Sequence, residues 1–439
     1  MLKTYTQILI NRLLGEGSRE MVRVTFMNGV STVIKFITGL ISLKIIASLI
    51  GPSGVALLGQ LSNFANILQQ VANGGINSGI TKYVSEHSIS EKKTELFIGT
   101  GFWITVICSV ATGIALILGA SYFSKVILYD IQYRSVFIIF GFTMLFYALN
   151  AYLIAVVNGI KDYRLYFYIN ITGSIVGLIF SVTLAVYYGL IGALIATVTF
   201  QSVVFFLSVY IARKSSWFRI SGFINKFSKA VSMKLAKFSL MALVSAITVP
   251  GGQLIVRKII THHESIQQAG IWEGMNRISG MYLFVIMTSF SVYYLPRLSE
   301  LKASKDLRDE VYGVYKLIIP FMVVSTISIY FLREFLIRLL FTPEFLEMQG
   351  LFVFQLLGDF FKVTSWVLGF LLIAKAMTRS YIIFELMNFF VLILSSVFLI
   401  DKYGTIGATY AYTITHFIYL VCMVILFRKI VFYKDEPAG

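Results

Sequence analysis

Runs of about twenty apolar residues follow one another along nearly the whole chain, broken by short polar stretches. A helix of about 20 mostly apolar residues crosses the ~30 Å hydrocarbon core of a bilayer and satisfies its backbone hydrogen bonds internally. Read this way, the pattern predicts an all-α integral membrane protein with twelve spans. In the first half they fall at residues 25–50, 55–82, 96–121, 134–159, 165–187 and 189–212. In the second they fall at 238–256, 270–296, 311–331, 350–374, 380–400 and 404–427. An even number places both ends of the chain on one side.

The second run breaks the oily pattern. It reads "GQLSNFANILQQVANGGINSG" over residues 59–79, with Gln60, Asn63, Asn66, Gln69, Gln70, Asn73 and Asn77 among apolar or small neighbours. At about 100° per residue, Asn63, Asn66, Gln70, Asn73 and Asn77 fall within about 80° of one another on a helix. Amides facing lipid would leave donors and acceptors unpaired, so the stripe is expected to face protein or water. Glue between helices is one reading. Five amides in register favour the other, the wall of a hydrated cavity. Amides suit a sugar there, since each both donates to and accepts from hydroxyls.

Ionisable residues inside spans are candidate sites by default. Lys35 sits near the middle of the first span, and Lys44 is close enough to its end to snorkel. Glu273 and Arg277 are spaced i, i+4 and Asp359 and Lys362 i, i+3, so each pair shares a helix face and could pair within a cavity. Lys35 has no such neighbour, so it calls for a carboxylate from another helix or an anionic ligand. Glu385 lies near a span end. "TVPGGQ" at residues 248–253 predicts a kinked or broken seventh span, with Pro250, Gly251 and Gly252 as a hinge or a static bend.

Composition agrees: 57% of residues are hydrophobic and only 13% charged, against roughly 25% charged in soluble domains. The net charge of +16 would suggest nucleic acid in a soluble chain. Here 26 of the 37 Lys and Arg residues fall in the segments on the side of the termini and 7 on the other. That bias predicts cytosolic termini, and no nucleic-acid partner is expected. Residues 213–237 are basic without a single acid, as a cytosolic connector beside anionic headgroups would be. Residues 1–23 lack a secretory leader pattern, so the first span is expected to be retained. Cys108 and Cys422 lie singly in apolar runs, which excludes a disulfide framework. The sequence has no phosphate-binding G-x-x-x-x-G-K-[ST] loop and its four histidines lack zinc-type spacing, so no metal site is expected. The longest outer connection, 331–350, is too short to hold an enzymatic domain.

Three motifs recur in order at offsets of 214 to 219 residues. "YGLIGALIA" from Tyr188 returns as "YGTIGATYA" from Tyr403, "SEHSISEKKTELFIG" as "SELKASKDLRDEVYG", and "IAVVNGIKDY" as "IAKAMTRSY". The repetition predicts a duplicated six-helix unit with parallel repeats: lobes 1–212 and 238–439 joined by the connector 213–237, with a substrate path between them.

"GPSGVALLGQLSNF" at 51–64, "GIWEGMNRIS" at 270–279, "SFSVYYLPRLSEL" at 289–301 and "IAKAMTRSY" at 373–381 resemble the Wzx-type flippases of undecaprenyl-diphosphate-linked oligosaccharides. These belong to the multidrug/oligosaccharidyl-lipid/polysaccharide exporter superfamily. The resemblance covers nearly the whole chain and is nearest to the flippases for O-antigen and for the enterobacterial common antigen lipid intermediate. It implies two six-helix lobes around a V-shaped, cationic cavity, with Lys35 and Arg277 as the matching cations. The expected function is transfer of an O-antigen repeat unit from the cytosolic to the periplasmic leaflet of a bacterial inner membrane by alternating access. The alternatives are another undecaprenyl-linked glycan, such as enterobacterial common antigen, a cation-coupled multidrug exporter, or a membrane glycan polymerase. No bound cofactor is expected, although a proton or sodium gradient could drive transport. Expected partners are the lipid-linked oligosaccharide, membrane lipids, and glycan polymerase and assembly proteins.

Overall fold

A computed structural model describes residues 16–87, 91–215, 217–224, 226–301, 303–428 and 430. Lys3, Arg12, Lys302, Lys429 and Lys434, which enter the charge count, lie outside the described residues. Among the described residues every regular element is a helix, and nine helices are long and apolar enough to cross a membrane. Large apolar side chains face outward around the molecule, among them Leu118, Phe331, Leu317 and Phe398. Such a surface is at home in hydrocarbon and not in water. The protein is a multi-pass, all-helical membrane protein.

Two helices outrun any bilayer. Helix α1 spans Glu16–Ala72, α2 Asn77–Glu86, α3 Glu91–Leu118, α4 Ala120–Ile127, α5 Arg134–Ile160 and α6 Tyr163–Ala212. A straight helix of 50 residues, the length of α6, would measure about 75 Å, more than twice the hydrocarbon core. Both long helices break at a glycine with positive φ: Gly51 (φ 64°, ψ −173°) in α1 and Gly189 (φ 57°, ψ −136°) in α6. Leu43 and Ala47 before the first break pack in one buried cluster with Val55 and Ala56 after it, so the chain folds back on itself there.

The second half runs through α7 (Ile220–Ile224), α8 (Lys229–His263), α9 (Ile266–Ser289), α10 (Leu295–Glu300), α11 (Ser304–Phe331), α12 (Arg333–Leu340), α13 (Phe352–Ala374), α14 (Thr378–Tyr403) and α15 (Thr405–Leu426). Gly404, between α14 and α15, has φ 64° and ψ −149° and repeats the geometry of Gly189. Both open the recurring "YG-IGA" motif. Its second glycine also does the same work twice. A Cβ on Gly192 would collide with Leu184 O, and one on Gly407 would collide with Leu399 O. The motif encodes a hairpin with almost no loop, and only glycine suits both the positive φ and the backbone approach.

Residues 55–82 are not one helix. Gly74 N donates to Val71 O and Gly75 N to Gln70 O, both at 2.9 Å. With Gly74 at φ 60°, this pair of bonds is a Schellman stop. It ends α1 at Ala72 and leaves Asn77 to start α2. Helix α8 gives the opposite correction. It continues unbroken through Pro250, and Gly251 and Gly252 instead admit Phe389 and Leu392 of α14 to close contact.

The connector is not an open loop. Trp103 Nε1 donates to Ile224 O at 2.9 Å, Lys226 pairs with Glu95, and α8 already begins at Lys229. Separate apolar clusters fill each half, one around Phe137, Phe140 and Leu194, another around Tyr294, Met322 and Val367. A third spans both halves. It joins Leu43, Ala47 and Val55 of α1 to Val256 of α8, Trp272 and Met275 of α9, and Phe345. Gly270 of α9 lies so close to Pro52 O that a Cβ could not fit between them. The halves are thus joined at the end that carries Gly51 and Glu264, and α8 also meets the first half near its own start, where a Cβ on Gly75 would crowd Ser239 O.

Candidate functional site

A cavity of about 560 Å³ opens beside the first part of α1. Its wall includes Lys35, Ser42, Asn150, Asn170, Gln201 and Arg277, and none of its lining residues is Asp or Glu. All of them except Arg277 come from α1, α5 and α6. Helix α6 contributes one face at three- and four-residue spacing: Asn170, Gly173, Ser174, Gly177 and Ser181. Asn150 is fully buried; its Nδ2 donates to Gln201 Oε1 at 2.6 Å, and it accepts from Ser208 Oγ at 2.9 Å. Gln201 is thereby held by its oxygen, with its NH₂ group left for a ligand.

A second cavity of about 320 Å³ lies between α1 and α8, lined by Asn63, Asn66, Gln69, Gln70, Pro250 and Gln253 among others. Asn63 Nδ2 donates to Gln253 Oε1 at 3.0 Å across the two halves. The amide stripe therefore divides. Asn63, Asn66 and Gln70 face α8 across this space. Asn73 is fully buried, donates to Gln69 O at 2.9 Å and leaves its Oδ1 without a partner. Asn77, on α2 beyond the stop, also has an orphaned buried Oδ1. Neither lines either of these two cavities: Asn73 turns its amide back onto Gln69 O, and Asn77 lies beyond the left-handed Gly74 and Gly75.

Arg277 reaches the first cavity while its Nε donates to Glu273 Oε1 at 3.1 Å. Glu273 is shared. Its other oxygen accepts from Nη2 of Arg257, which is 1% exposed. Nη1 of Arg257 donates to Gln60 Oε1 of α1 at 2.7 Å. A Cβ on Gly59 would strike the Glu273 carboxylate, so the glycine is what lets α9 bring that acid against α1. Two guanidiniums on one carboxylate leave the cluster one positive charge in excess. Sequence spacing put Arg257 just past the end of a span, among the outer residues; it is instead one of the largest fully buried side chains.

Lys35 is exposed on the cavity wall, and among the described residues no ion pair includes it. Lys44 does not snorkel. It donates to Arg338 O at 2.9 Å and Phe341 O at 2.6 Å, so a first-half lysine caps the C-terminus of α12. Asp359 and Lys362 do not form the ion pair their spacing predicts. Asp359 is fully buried and accepts from Tyr412 OH at 2.7 Å and from the hydroxyls of Ser279 and Tyr282. Lys362 lies 5.3 Å from the ring centre of Tyr412 and 5.7 Å from that of Trp366. Glu385 accepts from Thr248 Oγ1 of α8 at 3.3 Å. Cys108 and Cys422 are free thiols.

Sequence reasoning passed over Asn150, Asn170, Gln201 and Arg257. The α6 face carried a usable signal, the small and polar residues spaced like the amides of α1.

Comparison with known proteins places this geometry. A family model described as polysaccharide biosynthesis protein matches residues 25–349. The lipid III flippase of Escherichia coli (strain K12) is 30% identical over 409 residues, covering 93% of this chain and 98% of that protein, and that of Shigella flexneri matches equally. Among solved structures, an inward-facing multidrug resistance MATE family transporter of the MOP superfamily superposes with a TM-score of 0.73 at 13% identity, over 90% of this chain and 94% of that one. The lipid II flippase MurJ in an inward closed conformation gives 0.68 at 15% identity, over 93% and 87%. The solved structures share the fold. The resemblance read from the sequence motifs agrees with both sets of relatives. By the extent of the family match and by its identity to full-length relatives, the chain belongs to the polysaccharide biosynthesis protein family.

Proposed function

We propose that the protein flips a diphosphate-linked, polyprenyl-anchored oligosaccharide between membrane leaflets by alternating access. It is a transporter and not an enzyme: no bond is made or broken. The carrying observation is the 560 Å³ cavity, with two cations, a wall of amides and hydroxyls, and no carboxylate in its lining. A diphosphate needs fixed positive charge away from water, and sugars need groups that both donate and accept. A cationic drug would meet repulsion there, which speaks against the multidrug exporter. The sequence motifs point first to an O-antigen repeat unit. The lipid III flippases among the relatives favour the enterobacterial common antigen intermediate instead.

The nine apolar helices make twelve crossings in this reading. α1 and α6 each cross twice, turning at Gly51 and Gly189, and the more polar α9 supplies the last. The lobes are 1–212 and 238–439. The excess of Lys and Arg on one side supports cytosolic termini in a bacterial cell, with the joined end facing the periplasm. The cavity then opens inward. With Cys108 and Cys422 replaced by alanine, Glu344→Cys should react with a membrane-impermeant maleimide on intact spheroplasts. Labelling only after lysis would reverse the orientation.

A further test falls on the smaller cavity between α1 and α8, which this reading makes part of the glycan path: Asn63→Leu, Asn66→Leu and Gln70→Leu combined. Each lost hydrogen bond to the sugar is worth about 0.5–1.5 kcal/mol, so the triple variant should lower glycan export about tenfold or more. Leucine is welcome in hydrocarbon, so membrane levels should hold. Normal export at matched levels, in a strain lacking its own flippase, would make these amides helix glue.

A further inference from the structure

We infer that Arg257 is a switch residue: it ties the two halves together at the closed end, and an anion in the cavity releases the tie through Glu273. The inference rests on the anionic ligand of the preceding section. Four side chains form one continuous chain. Gln60 of α1 accepts from Arg257 Nη1 at 2.7 Å. Arg257 Nη2 and Arg277 Nε occupy the two oxygens of Glu273. Arg277 is the member that reaches the cavity. Arg257 Nε is buried and has no hydrogen-bond partner.

That orphaned donor points to a second arrangement. A buried N–H without a partner costs about 1–3 kcal/mol. Its natural acceptor is Glu273 Oε1, which Arg277 holds. A diphosphate that draws Arg277 toward itself frees this oxygen. Arg257 can then turn side-on and bind both oxygens of Glu273 through Nε and Nη2, the bidentate geometry that guanidinium and carboxylate favour. Turning swings Nη1 away from Gln60, and α1 loses its polar contact with α8 nearest the joined end, leaving Asn63–Gln253 farther along. The apolar cluster at this end does not sense charge; the four-residue chain does. Occupancy of the cavity is thereby linked to loosening of the opposite end, as alternating access requires.

The test uses full-length protein in nanodiscs, with Cys108 and Cys422 replaced by alanine and spin labels at Tyr188→Cys and Lys402→Cys. These exposed sites flank the two hairpin glycines. Without ligand, Arg277→Ala frees Glu273 permanently. It should raise the ratio of longer to shorter label distances about tenfold. Arg277→Gln should do the same if the alanine variant folds poorly. Arg277→Lys still pairs with Glu273 and should stay closed. Undecaprenyl diphosphate should open the labelled wild-type background and leave Arg277→Ala unchanged. Arg277→Ala with the background distances, or opening normally with the probe, overturns the switch while the flippase reading stands. A background that ignores the probe, beside an Arg277→Ala that opens alone, overturns the diphosphate reading while the switch stands.

Discussion

Arg277→Ala should lower glycan export ten- to a hundred-fold at matched membrane levels. A hydrogen bond to a charged group is worth about 1.5–3 kcal/mol, which sets the size of the expected loss. Arg277→Lys should keep part of the activity, because a point charge replaces the planar fork. Arg277→Glu should bring export to background. Lys35→Ala should cost less, since Lys35 is exposed and its charge is screened. Flux of a fluorescent lipid-linked glycan into proteoliposomes measures each variant, and wild-type flux in Arg277→Ala would remove Arg277 from the site. The fold should survive this substitution, because Glu273 still has Arg257.

Glu273→Ala should be far more damaging to the protein itself. It strands Arg257, 1% exposed, without its counter-ion. Removing one partner of a buried pair costs about 3–5 kcal/mol. The detergent-solubilised variant should melt well below wild type in a thermal-shift assay. Adding Arg277→Ala should not rescue it. Sequence spacing suggests the reverse, since an isolated i, i+4 pair removed whole would leave no unpaired charge. Recovery of the wild-type melting point in the double variant would mean that Arg257 does not depend on Glu273.

What the sequence could show depends on how far apart the partners lie. Glu273 and Arg277 share one helix turn, so their contact is written in their spacing. The hairpins at Gly189 and Gly404 are written twice and can be matched against each other. Asn63, Asn66 and Gln70 announce a wet face because a stripe is periodic. Asn73 and Asn77 extend that stripe only on paper, since Asn73 turns its amide back onto Gln69 O and Asn77 lies beyond two left-handed glycines. Asp359 and Lys362 have the spacing of a pair, but hydroxyls from α9 and α15 reach the carboxylate, and no local pattern foretells that. Asn150 and Gln201 are lone amides in separate apolar runs, joined only by the packing of α5 on α6. Arg257 was lost at a span boundary, where hydropathy is least able to separate inside from outside.

The wall of the larger cavity is almost wholly the work of one half, with Arg277 the sole lining residue from the other. Genetic exchange therefore meets a ready seam. A crossover within the basic connector would carry the entire amide and hydroxyl surface to a new carboxy-terminal half in one piece. Recognition of a different glycan could be inherited as a block, provided Gly59 and Gln60 still meet the Glu273 cluster that the new half supplies.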